Sequence, residues 1–217
     1  MRRVLGLVLA IGAALAIGAS AQSPRVGVSV RVSPDSLPSG ARRPWVQVRD
    51  LLNDARWSKA LDEALPIRLN YQVQVWRSRD GWIDELQRAM EWSVLIEREM
   101  LQEQYRVTLI LKSGTDELRF QTREELARYL SMTTDVDAWP DGTGTFFYLV
   151  ALRITALSDE DMEELERFLA GQGGATPRAE RSPLGRGIRK LLLRLAGLPS
   201  DALEARSPSF RVTNRRE

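Results

Sequence analysis

Strict alternation of apolar and polar residues commits the middle of this 217-residue chain to β-structure. From Ile67 to Trp76 the residues alternate with the period of a strand that has one buried face. The same period returns at three later segments, each after a short connection. These segments are Met90–Ile96, Tyr105–Leu111 and Leu118–Phe120. Four such strands in succession predict an antiparallel meander.

Helix start signals surround these strands. They are Asn53 or Asp54 as an N-cap, a capping box of Thr122 with Glu125, and a hydrophobic staple around Ser158. Phe146–Ile154 is apolar on both faces, which predicts a central strand covered from two sides. The pattern therefore predicts an α+β fold. It has an antiparallel meander sheet of about six or seven strands, which can form a sandwich-like fold, with flanking helices and a separate C-terminal amphipathic helix.

The N-terminus has the three parts of a secretory signal sequence. Arg2 and Arg3 precede an apolar run, Val4–Ala19, and Ala19-Ser20-Ala21 forms a cleavage motif. We expect export to the periplasm or cell envelope, followed by cleavage. The alternative is an uncleaved leader that anchors the chain in the inner membrane.

The chain contains no cysteine and no histidine. Thiol nucleophiles, disulfides, iron–sulfur clusters, imidazole metal sites and Ser-His-Asp triads are therefore excluded. We expect no cofactor. Catalysis by paired carboxylates stays open, with Asp80, Asp84 and Glu85 as candidates, but nothing in the sequence fixes their spacing. The sequence thus favours a protein that is not an enzyme.

Composition divides the chain into five segments. They are a signal peptide (1–21), an N-terminal strand and linker (22–44), a globular α+β domain (45–170), a linker (171–182), and a basic amphipathic helix with a disordered tail (183–217). The net charge is −6 over residues 22–177 and +6 over residues 178–217. This reversal indicates contact with an acidic partner or surface, or a solvated tail that neutralises its own domain.

The predicted C-terminal helix carries its cations beside a leucine stripe. These cations are Arg186, Arg189, Lys190 and Arg194. A basic amphipathic helix on a glycine-containing linker can lie on an anionic membrane or dock into a groove of an envelope protein. Alternatively, its leucines pack back onto the domain.

Several aromatic and structural motifs resemble those of a known family. They are Leu65–Ile67 leading into Tyr71, Val75–Arg79 followed by Trp82 and Asp84, Gln104–Val107, and Tyr148. In this order they resemble the exported bacterial domain of unknown function numbered 4390, over roughly residues 45–171. The resemblance implies export and a shared fold, and it implies no activity.

A candidate binding site lies where a predicted strand ends. Trp76, Arg77, Arg79 and Trp82 combine aromatic rings with guanidinium groups, which can stack on a sugar, a peptide or lipid headgroups. The alternative is a structural hairpin corner, in which Trp82 returns to the core and an arginine pairs with Asp80 or Asp84.

Three carboxylates share one loop and form a weak calcium candidate. Asp135, Asp137 and Asp141 supply the oxygen ligands that calcium prefers. Trp139 and Phe146 stand where an EF-hand needs ligands, so an acidic connecting loop is the favoured interpretation and no metal is expected.

These observations favour a non-catalytic binding or scaffolding module of the bacterial cell envelope. Its partner is an envelope protein or an anionic membrane surface, and nucleic acid is excluded because the leader routes the chain away from it. The alternative function is a carboxylate-dependent hydrolase that acts in the envelope.

Overall fold

The computed structural model describes residues 24–37, 40–156 and 198–213, which form ten strands and two helices. The strands are β1 (Gly27–Ser36), β2 (Arg42–Arg49), β3 (Ile67–Ser78), β4 (Glu85–Glu99), β5 (Gln104–Leu111), β6 (Gly114–Phe120), β7 (Thr134–Asp135), β8 (Gly144–Thr155), β9 (Ser200–Arg206) and β10 (Phe210–Val212). The helices are α1 (Ala55–Asp62) and α2 (Arg123–Leu130).

Seven strands form one antiparallel sheet in the order β10-β8-β3-β4-β5-β6, with β9 paired to β8 beside β10. The predicted meander is confirmed as β3-β4-β5-β6. The predicted late strand is confirmed as β8, which lies between β3 on one side and β9 with β10 on the other. One face of β8 is buried, whereas on the opposite face Leu149 and Ala151 are half-buried and Arg153 is exposed, so the expectation that both faces are covered is wrong for that opposite face.

One face of this sheet, the inner face, is covered by the other elements. The three-stranded sheet β1-β2-β7 packs Val30 and Val46 against Val73 and Val150. A second core cluster, around Trp57 of α1, joins the helices to the other half of the inner face. The fold is therefore α+β with a sandwich-like core, as predicted. We call the opposite side of the seven-stranded sheet the outer face.

Both helices begin at the predicted caps. Thr122 and Glu125 form the complete capping box of α2. Asp54 caps α1 by accepting a hydrogen bond from the Arg56 backbone N–H at 3.0 Å. The Arg56 guanidinium donates to the same carboxylate at 2.7 Å and to Asp201 of β9 at 2.8 Å. Arg56 therefore ties the helix start to the last strands of the chain.

Asp54 is expected to make the fold sensitive to acid. Its side chain is nearly buried, and the Arg56 guanidinium lowers the pKa of its carboxyl below the ordinary value of 3.8. A carboxyl whose pKa is lower in the folded than in the unfolded chain stabilises the fold at pH values above the pKa of the unfolded chain. This stabilisation is lost as the pH falls through the pKa of the folded chain. Asp54→Asn keeps the cap and removes the charge. We expect it to cost about 1 kcal/mol at neutral pH and less at pH 2 to 3.

Urea unfolding of the parent chain and of Asp54→Asn at pH 7, 4 and 2.5 measures this difference. The gap between the two chains should narrow as the pH falls. A gap that stays constant would show that the charge of Asp54 does not stabilise the fold.

Two predicted irregular segments contain strands. The expected linker up to residue 44 contains the end of β1 and the start of β2, which pair with each other. Pro34 is tolerated there because it lies beside an irregularity in the pairing between Val32 and Ser36. The prediction of a disordered tail is wrong for residues 200–212, which form β9 and β10. The sequence does not indicate β9 because its Ala, Asp and Glu residues have weak β-propensity. The strand forms because it pairs with β8.

The leader (1–21), the helix predicted after Ser158, the 171–182 linker and the basic residues 186–194 lie outside the described residues, so these predictions stay predictions. The chain leaves the described part after Ala156 and returns at Leu198. Thr155 and Ser200 are paired across β8 and β9, so residues 157–197 connect two neighbouring strands. Among the described residues, neither helix is long and apolar enough to cross a membrane.

Candidate binding surface

The structure separates the two tryptophans of the predicted aromatic cluster. Trp76 is half-buried on the outer face of β3, whereas Trp82 lies in the turn between β3 and β4 and is 82% exposed. The expectation that Trp82 returns to the core is therefore wrong. Gly81 has a φ of +78° in this turn, a conformation that glycine adopts without strain.

Both arginines of this cluster already have partners within the fold. Arg79 forms an ion pair with Glu85, and its backbone N–H donates to Asp84 at 3.3 Å. The sequence predicted an arginine paired with Asp80 or Asp84, whereas the ion-pair partner of Arg79 is Glu85 and Asp84 accepts only its backbone N–H. Arg77 donates to the backbone carbonyl of Thr143 at 3.0 Å, which fastens β3 to the loop before β8. The Arg79 guanidinium thus braces the hairpin, and the Arg77 guanidinium joins β3 to the loop before β8.

Trp76 belongs to a row of stacked groups across three strands. Its ring is parallel to that of Phe147 on β8, with 6.3 Å between centroids and 5° between planes. From the other side, the Arg206 guanidinium of β9 lies 3.6 Å from the centroid of Phe147. Phe147 is only 5% exposed although it points to the outer face. This stack, which we call the platform, encloses Phe147 between an indole and a cation and leaves the half-buried Trp76 ring as its accessible aromatic surface.

The sequence did not identify Phe147 and Arg206 as site residues. Phe147 was part of a run that indicated only a buried strand, and Arg206 was placed in the disordered tail. Their contact depends on the β8-β9 pairing, in which Leu149 faces Arg206. No local sequence pattern indicates which residues of β8 and β9 pair.

A chain of hydrogen bonds, which we call the amide relay, runs from the platform along β3. Trp76 Nε1–H donates to Gln74 Oε1 at 2.8 Å, and Gln74 Nε2 donates to Gln72 Oε1 at 2.9 Å. Gln72 Nε2 donates to Glu91 Oε1 on β4 at 2.6 Å. Residues two apart on a strand share a face, so the alternation from Ile67 to Trp76 places the relay on the outer face.

The relay leaves hydrogen-bonding capacity unused. A carboxamide has two N–H donors and an oxygen that accepts two bonds. The relay bonds use one donor and one acceptor site on both Gln74 and Gln72. Both side chains are half-buried and Glu91 is exposed, so their remaining groups can reach a ligand. The relay fixes the side-chain orientations before a ligand arrives, which lowers the entropy cost of binding.

Charged groups beyond the relay are paired with each other. Arg106 on β5 bonds Glu97 at 2.9 Å and Glu99 at 3.2 Å. The Glu97 carboxylate raises the pKa of Arg106 above its ordinary value. On β6, Arg119 bonds Glu117 at 2.7 Å. This part of the outer face is therefore held by internal ion pairs.

The three carboxylates of the calcium candidate are held by arginines. Asp135 and Asp137 each lie 3.5 Å from Arg43, and Asp141 lies 3.1 Å from Arg88. Nowhere in residues 24–37, 40–156 and 198–213 do three or more acidic side chains come together in a metal-binding arrangement. The loop is therefore stabilised by ion pairs with Arg43 and Arg88.

The carboxylates suggested for hydrolysis lie at the β3-β4 hairpin. Glu85 pairs with Arg79, and Asp84 accepts the Arg79 backbone N–H. A cavity of about 20 Å³, room for one water molecule, is lined by residues of β2 and α2 and by the residues that follow β2, none of them these carboxylates. Asp84 and Glu85 thus stabilise the turn between β3 and β4.

One family model, described as a domain of unknown function (DUF4390), matches residues 46–155. The match runs from β2 to the end of β8, so it includes the amide relay and Phe147, and it excludes β1, β9 and Arg206. No curated protein and no solved structure matches the chain.

Proposed function

The chain belongs to the DUF4390 family, and we propose that it is a non-catalytic module of the cell envelope that binds its ligand on the outer face. The observation that carries this proposal is the amide relay ending at the Trp76–Phe147 platform. Aromatic rings beside fixed donors and acceptors are the usual composition of a recognition surface. The predicted leader supplies the location.

The absence of cysteine and histidine from the sequence supports binding over catalysis. Among the hairpin carboxylates, Glu85 is neutralised by Arg79, and Asp84 accepts a backbone N–H. A general acid and base need carboxylates that converge on a reacting group. The relay carries a single carboxylate, Glu91, and that group accepts from Gln72.

The test compares two Trp→Ala variants of the mature chain, residues 22–217. Both are mixed with sedimented envelope material, separately as peptidoglycan sacculi and as membrane vesicles, and the retained protein is measured. We expect Trp76→Ala to lower the apparent affinity for one of these materials at least about tenfold, because it removes the platform. Trp82→Ala, in the exposed turn, should bind as the parent chain does.

Circular dichroism of each variant verifies that it is folded. Equal retention of the parent chain and Trp76→Ala would place the binding surface elsewhere. Loss of retention in Trp82→Ala alone would place it at the β3-β4 turn.

A further inference from the structure

We infer that the ligand of the amide relay is a saccharide chain without a high density of charge. This inference rests on the proposed binding function and names the ligand class for that surface. It is drawn from the hydrogen-bonding groups of the relay, the geometry of β3, the charges around the relay and the neighbouring platform.

The relay presents hydrogen-bond donors and acceptors that suit the hydroxyl groups of a sugar. A sugar hydroxyl both donates and accepts, so its best partners are groups that also do both. Gln72 and Gln74 each offer a free amide hydrogen and a free acceptor site after the relay bonds are made. Beside them, Ser93 Oγ donates to Asn70 Oδ1 at 2.6 Å, so the Asn70 amide nitrogen adds two further donors. Side-chain carboxamides therefore dominate this part of β3.

The position of β3 disfavours an extended peptide. A peptide that adds to a sheet bonds the free main-chain groups of an edge strand. β3 pairs with β4 on one side and with β8 on the other along its length, so it has no free edge. A ligand over the relay must be recognised by side chains on a face. The stretch from Gln72 to Trp76 spans about 13 Å, the length of a short oligosaccharide.

The charges around the relay disfavour a polyanion. In the sheet register, Gln72 lies between Glu91 of β4 and Ala151 of β8, and Ala151 faces Glu204 of β9. Both sides of the row thus carry a carboxylate, which repels phosphate or sulfate groups. Of the nearby cations, Arg206 covers Phe147 and Arg106 is paired with two glutamates. Arg153, which faces Asn70 beyond Gln72, adds one exposed guanidinium to this side of the row.

Small neighbours give a ligand access to the relay. Gln74 faces Ala89 on β4, and Gln72 faces Ala151 on β8. Each carboxamide therefore has a small neighbour on one side only, since Gln74 faces Leu149 on β8 and Gln72 faces Glu91 on β4. At the end of the relay the Trp76 ring offers an apolar surface, on which the C–H face of a sugar ring can stack while its hydroxyls bond the amides. Platform and relay together match a pyranose ring, which has an apolar C–H face and polar hydroxyl groups.

The experiment uses the mature chain labelled with ¹⁵N and four uncharged probes: cellotetraose, chitotetraose, maltotetraose and laminaritetraose. We expect at least one probe to shift the side-chain NH₂ resonances of Gln72 and Gln74 and the indole resonance of Trp76. Gln74→Ala should weaken that binding about tenfold, since it removes one direct partner and interrupts the relay. Trp82→Ala should bind unchanged, and heparin should not compete.

Three results would overturn the saccharide assignment. They are no shift with any probe at 10 mM, shifts confined to residues away from β3, or tighter binding of heparin than of every uncharged probe. If Trp76→Ala still loses envelope retention in that case, the binding function stands and only the ligand class is wrong. The dispersion of the ¹⁵N spectrum of Gln74→Ala separates loss of contact from loss of fold.

Discussion

A chain that stops at Ala156 is expected not to fold, whereas a chain that lacks only residues 157–197 is expected to fold. The first truncation removes β9 and β10, and with them the hydrogen-bonding partners along one edge of β8. The second removes a segment that joins two paired residues, Thr155 and Ser200, which a short turn can connect.

The lost strands contribute more than main-chain pairing. Between β9 and β10, Ser207 continues the ladder by donating its N–H to the Tyr148 carbonyl and by accepting the Tyr148 N–H on its hydroxyl, both at 2.9 Å. Asp201 bonds Arg56 and Trp57 of α1. The truncated chain would expose an apolar twelve-residue strand as a new sheet edge, which is a site for aggregation. We expect a loss above about 5 kcal/mol, most of a typical domain's stability.

The measurement compares three chains by circular dichroism, urea unfolding and size-exclusion chromatography. They are the mature chain, a chain ending at Ala156, and a chain in which Gly-Ser-Gly links Ala156 to Leu198. The linked chain should retain a cooperative transition, and the short chain should show none. A folded, monomeric short chain would mean that β9 and β10 do not stabilise the sheet.

Trp57→Ala is expected to destabilise the fold by about 3–5 kcal/mol, whereas Trp82→Ala should change the unfolding free energy by less than about 0.5 kcal/mol. Trp57 has no exposed surface and packs in the core cluster between α1 and the inner face. Its indole N–H donates to Asp201 at 3.0 Å, so the substitution opens a cavity and leaves a carboxylate without one partner. Trp82 is 82% exposed.

Urea unfolding of both variants under one set of conditions measures the contrast, and Asp201→Asn serves as a third chain. The asparagine variant keeps the volume of the side chain and should cost about 1–2 kcal/mol, because it weakens bonds to a charged group and to an indole. Equal effects of the two tryptophan variants would contradict the burial of Trp57 or the exposure of Trp82.

The sequence predicts those parts of the fold that depend on residues close together along the chain. Alternation around Tyr71 and the capping box at Thr122 concern residues within a few positions of each other, and both are confirmed. The β8-β9 pairing joins distant segments, whereas the β1-β2 pairing is a hairpin between consecutive strands. Neither is visible in composition: β1 contains a proline, and β9 consists largely of residues typical of helices.

From the sequence, the candidate binding surface was predictable only as a solvent-facing, polar side of the sheet. The alternation correctly puts Gln72, Gln74 and Trp76 on the polar side of β3. The relay depends on side-chain orientations, which no pattern of residue types fixes. The stack of Phe147 depends on Trp76 from one neighbouring strand and Arg206 from another. The sequence placed Trp76 and Trp82 in one site because they are close along the chain, whereas the hairpin places them on different surfaces.

The pairing of Thr155 with Ser200 has an evolutionary consequence. A connection whose two ends meet on one sheet can lengthen or shorten by mutation at little cost, because the entropy of closing a loop grows slowly with its length. We therefore expect the length of the chain between β8 and β9 to differ among homologues while the pairing of these two strands is kept. In an alignment of homologues, equivalent residues would then be hard to assign after the end of β8. In each chain, β9 would be recognised by its pairing with β8 and not by its distance along the sequence.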